Sequence, residues 1–324
     1  MARRISVYGV VVLGLVVTYV VASIGDRLPE FRQCVRSCIA DCSSKPKLPF
    51  YLELLLWDCS QDCDYQCQRY ITDKRIERGV EIVQFHGKWP FVRVLGIQEP
   101  MSVLFSMLNF IPHFKGFLKL YRYKDFPDSH LRDYYLVFSA IGMNAWVWSS
   151  VFHTRDFLVT ERLDYFSAML TILYGLFAAT VRIFRLDLES RKHQRYILMV
   201  VCTIAYACHV GYLSLITFSY SYNMAAGVVV GLIQNALWTY FAFSSYSKLQ
   251  QESPNTANNW TLWPFYIVIS VTLGMAFELF DFPPFLFLLD AHALWHAATV
   301  LPTYWWYVWM EKDLQYLRTC KSRE

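Results

Sequence analysis

Five residues of this chain have types and spacings suited to hydrolytic chemistry. Ser149 and His153 are four apart, as are His292 and His296, so each pair shares one face of a helix. Asp164 follows His153 by eleven positions. Two imidazoles at a separation of four can grip one metal ion, and a third neutral imidazole leaves one position of a tetrahedral zinc site open for water. With Zn²⁺ on His153, His292 and His296, Asp164 could orient or deprotonate the water, and Ser149 could hold it or the developing oxyanion. The chemistry indicated is hydrolysis of an ester or amide. A serine mechanism built on Ser149 stays open, but it needs one histidine and leaves two others without a role.

The elements that must position these residues are membrane helices. Hydrophobic residues make up 55% of the 324 positions and fall in long blocks. Seven apolar segments, near 97–115, 133–153, 164–182, 196–217, 222–244, 261–280 and 286–310, each approach the length needed to cross ~30 Å of hydrocarbon. The expected fold class is an all-α membrane protein, a seven-transmembrane helix bundle behind a small N-terminal disulfide-bonded luminal helical module. The net charge of +4 gives no basic face, which excludes nucleic acid as a partner. Basic residues instead gather in two loops, Lys115 to Arg132 and Arg182 to Arg195, and the positive-inside rule puts these and the tail in the cytosol. His153, Asp164, His292 and His296 then meet at the luminal end. The sequon Asn259-Trp260-Thr261 falls on the cytosolic side and is read as chance.

Arg3 and Arg4, the apolar run Val7 to Val21, and Ala22-Ser23 have the layout of a signal peptide, with an uncleaved anchor as the alternative. Cys34, Cys38, Cys42 and Cys59, Cys63, Cys67 form two triplets of spacing four, stacking three thiols on one face of each of two helices. Folded antiparallel across Pro46 and Pro49 in an oxidising lumen, they predict Cys34–Cys67, Cys38–Cys63 and Cys42–Cys59, against a zinc module as the rival. Cys202, Cys208 and Cys320 stay unpaired. The domains expected are a signal peptide (1–23), a luminal cysteine-rich module and connector (24–96), the membrane hydrolase domain (97–310) and a cytosolic tail (311–324).

Other conspicuous residues read as structural. Trp146, Trp148, Trp260, Trp263, Trp305, Trp306 and Trp309 fall near helix ends and read as headgroup anchors. His209 has no partner at helical spacing and reads as a packing or hydrogen-bonding residue. Asp290 could support His292, and Glu278 and Asp281 could line the site's mouth. A metal transporter would show polar residues along a path through the bilayer, whereas this polar set stops at one leaflet.

Ser149-x-x-x-His153, Asp164 and His292-x-x-x-His296 resemble the CREST superfamily of membrane hydrolases. Within it the chain is similar to the Per1-like family of GPI-specific phospholipases A2. The likeness rests on the cysteine triplets, Phe85-His86-Gly87-Lys88-Trp89-Pro90-Phe91, Gln98-Glu99-Pro100, Asn144-Ala145-Trp146, Val151-Phe152-His153-Thr154-Arg155-Asp156, Leu279-Phe280-Asp281-Phe282-Pro283-Pro284 and Leu289-Asp290-Ala291-His292-Ala293. It implies a multi-pass enzyme of the Golgi apparatus or endoplasmic reticulum membrane, with a luminal active site, that removes the sn-2 acyl chain from the lipid of GPI-anchored proteins. A non-enzymatic seven-helix receptor or chaperone for GPI-anchored cargo is the competing expectation.

Overall fold

A computed structural model describes residues 23–44, 47–123, 129–252, 259–279 and 281–321. The leader expected over 1–23 lies outside them but for Ser23. The described residues fall into two units, one built from residues up to 44 with Cys59–Pro90, the other from Lys47–Asp58 and the chain from Phe91 onward.

The first unit contains α1 (Ile24–Arg27), α2 (Pro29–Ala40) and α4 (Cys59–Glu77). Ser23 and Asp26 form a capping box on α1, and Pro29 occupies the first turn of α2, where no amide donor is needed. Disulfides join α2, with the turn that follows it, to α4 as Cys34–Cys67, Cys38–Cys63 and Cys42–Cys59. Pairing removes these sulfurs from any zinc module. The core beneath them is small, with Phe31, Ile71, Val83 and Phe85 buried, so covalent links supply stability that apolar area cannot.

The second unit opens with the short α3 (Phe50–Leu54) and continues through α5 (Pro100–Tyr121), α6 (Leu131–Thr154), α7 (Leu158–Ile183), α8 (Lys192–Gly211), α9 (Tyr220–Glu252), α10 (Trp263–Leu279) and α11 (Ala291–Lys321). Five stretches, Leu131–Thr154, Leu158–Ile183, Glu189–Ile216, Tyr220–Glu252 and Asn259–Glu278, are long and apolar enough to cross a membrane. Helices α5 and α11 are long enough but carry the site and other polar residues, which lowers their apolarity. Packing contacts close a ring in the order α5, α6, α7, α9, α10, α11, with α8 laid on α7.

Several boundaries differ from the apolar runs. Helix α5 continues past Lys115 to Tyr121, because Lys119 can stay at the water boundary while the rest of the turn is apolar. Asp164 does not begin its helix, since α7 starts six residues earlier at Leu158. Asp290 precedes α11, where its Oδ1 accepts the amide of Ala293 at 2.8 Å, a cap that fixes where the helix starts. Trp306 and Trp309 are not anchors: both are buried, with ring centroids 4.8 and 5.1 Å from that of Trp238, in a core shared with Tyr135, Met310 and Leu314. Their position near a helix end could not reveal which way α11 faces.

The polar residues also do not stop at one end. Below the histidines, Asn109 and Thr299 bond each other at 3.2 Å, His113 Nδ1 meets the Tyr307 hydroxyl at 2.6 Å, and Tyr135 donates to Asp313 at 3.1 Å. Arg182 completes the seam with two bonds to Asp313, at 2.5 and 2.6 Å. These groups are buried and satisfy one another, as polar groups among apolar helices must. Gly142 leaves room for the His113 ring, which would lie 2.1 Å from a Cβ there, so the seam is tightly packed at this point.

Candidate metal centre

Three histidines converge where α6 ends and α11 begins. His153 sits in the last turn of α6, and His292 and His296 lie one turn apart at the start of α11. Their ring centroids are separated by 4.5 to 5.1 Å, and one ligand nitrogen from each lies within 4.8 Å of the others. His153 and His296 are buried, while His292 is partly open.

Hydrogen bonding fixes which nitrogen of each ring faces the centre. His153 Nδ1 lies 2.8 Å from Glu99 Oε2, and His292 Nδ1 lies 2.7 Å from Glu278 Oε2, so both Nδ1 atoms donate a proton to a carboxylate. His296 Nδ1 lies 3.0 Å from Ser106 Oγ and 3.3 Å from the Ser102 carbonyl. A carbonyl only accepts, and Ser106 already donates to that same carbonyl at 2.7 Å, so the proton on this imidazole is also at Nδ1. Each neutral ring therefore presents its Nε2 lone pair. Two of these, on His153 and His292, face each other at 3.3 Å, a contact that is favourable when a proton or a metal ion is shared between them. A tetrahedral ion held at about 2.0–2.1 Å from each nitrogen separates its ligands by about 3.3–3.4 Å. Donor set and tautomers suit such an ion, the His153–His292 pair has its spacing, and Glu99 and Glu278 would balance two positive charges.

The backbone explains why Glu99 is available. Its own amide donates to the His153 carbonyl at 3.0 Å, and Gln98 donates to Thr154 at 3.2 Å, lacing the start of α5 to the end of α6. Pro100 then opens α5. Glu278 is steadied by the Tyr220 hydroxyl at 2.9 Å. The main-chain carbonyl of His296 accepts from Asn109 at 2.7 Å and Thr299 at 2.8 Å, holding the second turn of α11 to α5.

A sequence profile of the Per1-like family matches residues 49–314, a span that contains every one of these side chains. Protein PER1 homolog of Schizosaccharomyces pombe is 43% identical over 302 residues, covering 91% of this chain and 88% of its own. GPI-specific phospholipase A2-like PGAP3 of Xenopus laevis is 38% identical, with 91% and 92% covered, and its namesake in Homo sapiens 36%, with 90% of each. The chain belongs to the Per1-like family. No solved structure matches it.

In this Per1-like chain, the sequence-predicted residues divide into two groups. His153, His292 and His296 come together, and Ser149 joins them indirectly, its Oγ 2.9 Å from Ser106 Oγ. Asp164 is half-buried on α7 and is not one of the three-residue group. Asp290 caps α11, and His209 bonds Asn223 at 3.1 Å. Trp146, expected at the headgroup boundary, instead sets its ring at 80° to that of His296, with centroids 5.3 Å apart. Glu99, Ser102 and Ser106 were missed as site residues. A carboxylate directly before a proline at the head of an apolar helix, and two serines four apart inside it, were the available signals.

Proposed function

We propose that this chain is a zinc-dependent ester hydrolase of secretory-pathway membranes that removes the sn-2 acyl chain from the lipid of GPI-anchored proteins. The observation that carries it is the convergence of three imidazoles, each with an acceptor at Nδ1 that leaves Nε2 free to bind. The relatives named GPI-specific phospholipase A2-like supply the substrate class. When bound, a zinc ion supplies Lewis acidity that makes ester hydrolysis feasible near neutral pH.

The protein's own groups have separable tasks. Glu99 and Glu278 hold imidazole protons and keep the rings aimed, so neither is assigned as the base. Asp164 is proposed as the carboxylate that takes the proton from the attacking water and returns it to the leaving alcohol. Ser106 donates to Ser102 and accepts from His296, which leaves Ser149 as the donor in its remaining bond. Ser149 can therefore turn its hydroxyl toward a substrate oxyanion without disturbing His296. Its contact with Ser106, and not with an imidazole, supports a positioning or oxyanion role over that of nucleophile.

The topology proposed is seven crossings, the five apolar stretches plus α5 and α11. A cleaved leader, a luminal cysteine module and a cytosolic tail complete it. The basic residues Lys119, Arg122, Arg132, Arg185 and Lys192 lie at the end opposite the histidines, which supports a luminal site in the Golgi or endoplasmic reticulum. The test is twofold. Purified protein should contain about one zinc per chain, a content that His292→Ala lowers, and cells lacking the protein should keep the unsaturated sn-2 chain on their GPI anchors. An active, metal-free protein sinks the zinc assignment, and normal remodelling in its absence sinks the substrate.

A further inference from the structure

Three turns at the histidine end of the helical unit carry large apolar residues where the backbone favours glycine. Leu95 (φ 51°) precedes Gly96 (φ 89°) in a two-residue turn closed by paired bonds between Val94 and Ile97. Such turns ordinarily take Asn-Gly. Leu286 (φ 52°) and Phe287 (φ 57°) form the second turn, and Leu56 (φ 59°) ends α3 in the left-handed position usually held by glycine. Strain of this kind persists where the side chain has a use. Yet the side chains at the tips are open, with Leu56 69%, Leu95 72% and Leu286 69% exposed in the whole chain.

The tips form one patch. Trp57 Nε1 donates to the Gly96 carbonyl at 2.8 Å, which ties the end of α3 to the first turn, and the Val92 amide donates to the Phe287 carbonyl at 2.8 Å, which ties the first turn to the second. Gly96 packs so closely that a Cβ would lie 2.9 Å from Leu55, so the first turn sits directly against the end of α3. The patch also has a fixed level. Arg155 donates to the carbonyls of Leu55 and Leu56, and three residues later Leu158 begins the apolar stretch of α7, exposed together with Val159. The apolar tips thus continue the surface of a helix long and apolar enough to cross the membrane.

We infer that the tips at Leu56, Leu95 and Leu286 are seated in the acyl region of the bilayer leaflet on the histidine side. Two of the three lie within six residues of site groups, Leu95 before Glu99 and Leu286 before His292. Lipid chains held there would lie beside the loops that lead into the metal centre. Strained, exposed leucines are costly in water and favourable among acyl chains. The inference rests on α7 and its neighbours crossing a membrane; it does not depend on the reaction.

The test attaches a nitroxide to single cysteines, Leu95→Cys or Leu286→Cys, in chains whose Cys202, Cys208 and Cys320 are serine, reconstituted in phosphatidylcholine nanodiscs. Collision with oxygen, which partitions into lipid, is compared with collision with a water-soluble nickel chelate. Leu273→Cys, at an exposed position within α10, and Lys192→Cys, exposed beside the basic loop, set the lipid and water references. Both tips should favour oxygen several-fold over the ratio at Lys192. Tips that match Lys192 while Leu273 reads as lipid would overturn the inference alone. A Leu273 label that reads as water would overturn the spanning arrangement beneath it. Exclusion of both reagents from the tips would assign the patch to a protein partner and overturn it equally.

Discussion

Glu99 is the residue whose replacement should reveal most about the metal centre. Its Oε2 is 2.8 Å from His153 Nδ1, and both side chains are buried. Were three neutral imidazoles to hold a doubly charged ion, Glu99 and Glu278 would make the site neutral, and loss of one carboxylate would leave a net positive charge among apolar helices. Glu99→Gln keeps an acceptor for the Nδ1 proton and removes the charge, whereas Glu99→Ala removes both. Partners of metal-bound histidines typically contribute 10- to 100-fold in affinity, so the expected losses are about tenfold for Gln and about 100-fold for Ala, near 1.4 and 2.7 kcal/mol. The assay is competition for zinc against a chelator of known affinity, with protein in detergent. The side chain makes no cap bond to α5 and the backbone bond from Glu99 to His153 survives either change, so the loss reports on the carboxylate. Wild-type affinity in Glu99→Ala would refute the reasoning, since the tautomer of His153 would then not depend on the carboxylate.

The seam and the neighbouring histidine give further tests. Asp313→Asn leaves Arg182 buried without its ion pair and should lower unfolding stability by about 3–5 kcal/mol, whereas the double change Arg182→Met with Asp313→Leu should cost less; thermal unfolding in detergent compares them. Gly142→Ala drives a methyl into the His113 ring and should cost about 1–3 kcal/mol, with part recovered when His113 is also replaced by Ala. His209→Gln should leave zinc content unchanged by metal analysis, because His209 bonds Asn223 and is not in the three-histidine group.

How much could be read from the sequence depended on whether the signal was periodic. Cysteines and histidines four apart declare a shared helical face, and both patterns appear in the structure as disulfides and as converging rings. Glu99 offers no period: it is one carboxylate in a connector, and its value comes from two backbone bonds to α6 that pairing across 54 residues creates. Trp146 and Trp309 fail for a related reason. A tryptophan near a helix end can face lipid, core or site, and only the packing of the neighbouring helices decides among them. The seam is not legible in the sequence, because Asn109, His113, Thr299 and Tyr307 look like scattered interruptions of apolar runs until the ring of helices sets them against one another.

That seam explains how a centre with demanding geometry can stand on two long helices. His292 and Asp313 are twenty-one residues apart on α11, about 30 Å along its axis. Between them Thr299 engages α5 through Asn109, Tyr307 engages α5 through His113, and Asp313 engages α6 and α7 through Tyr135 and Arg182. Apolar surfaces alone tolerate sliding, because one leucine ridge resembles the next. A shift of α11 by a single turn against α5 would instead leave several buried polar groups without partners, at about 1–3 kcal/mol each. The register of α11 is thereby fixed along its length, and with it the 3.3 Å separation of His153 and His292 nitrogens at its end. Positioning of the candidate metal centre is a property of the whole bundle, so on the proposed reading weakening Asp313 should loosen zinc binding, read by chelator competition, as well as the fold.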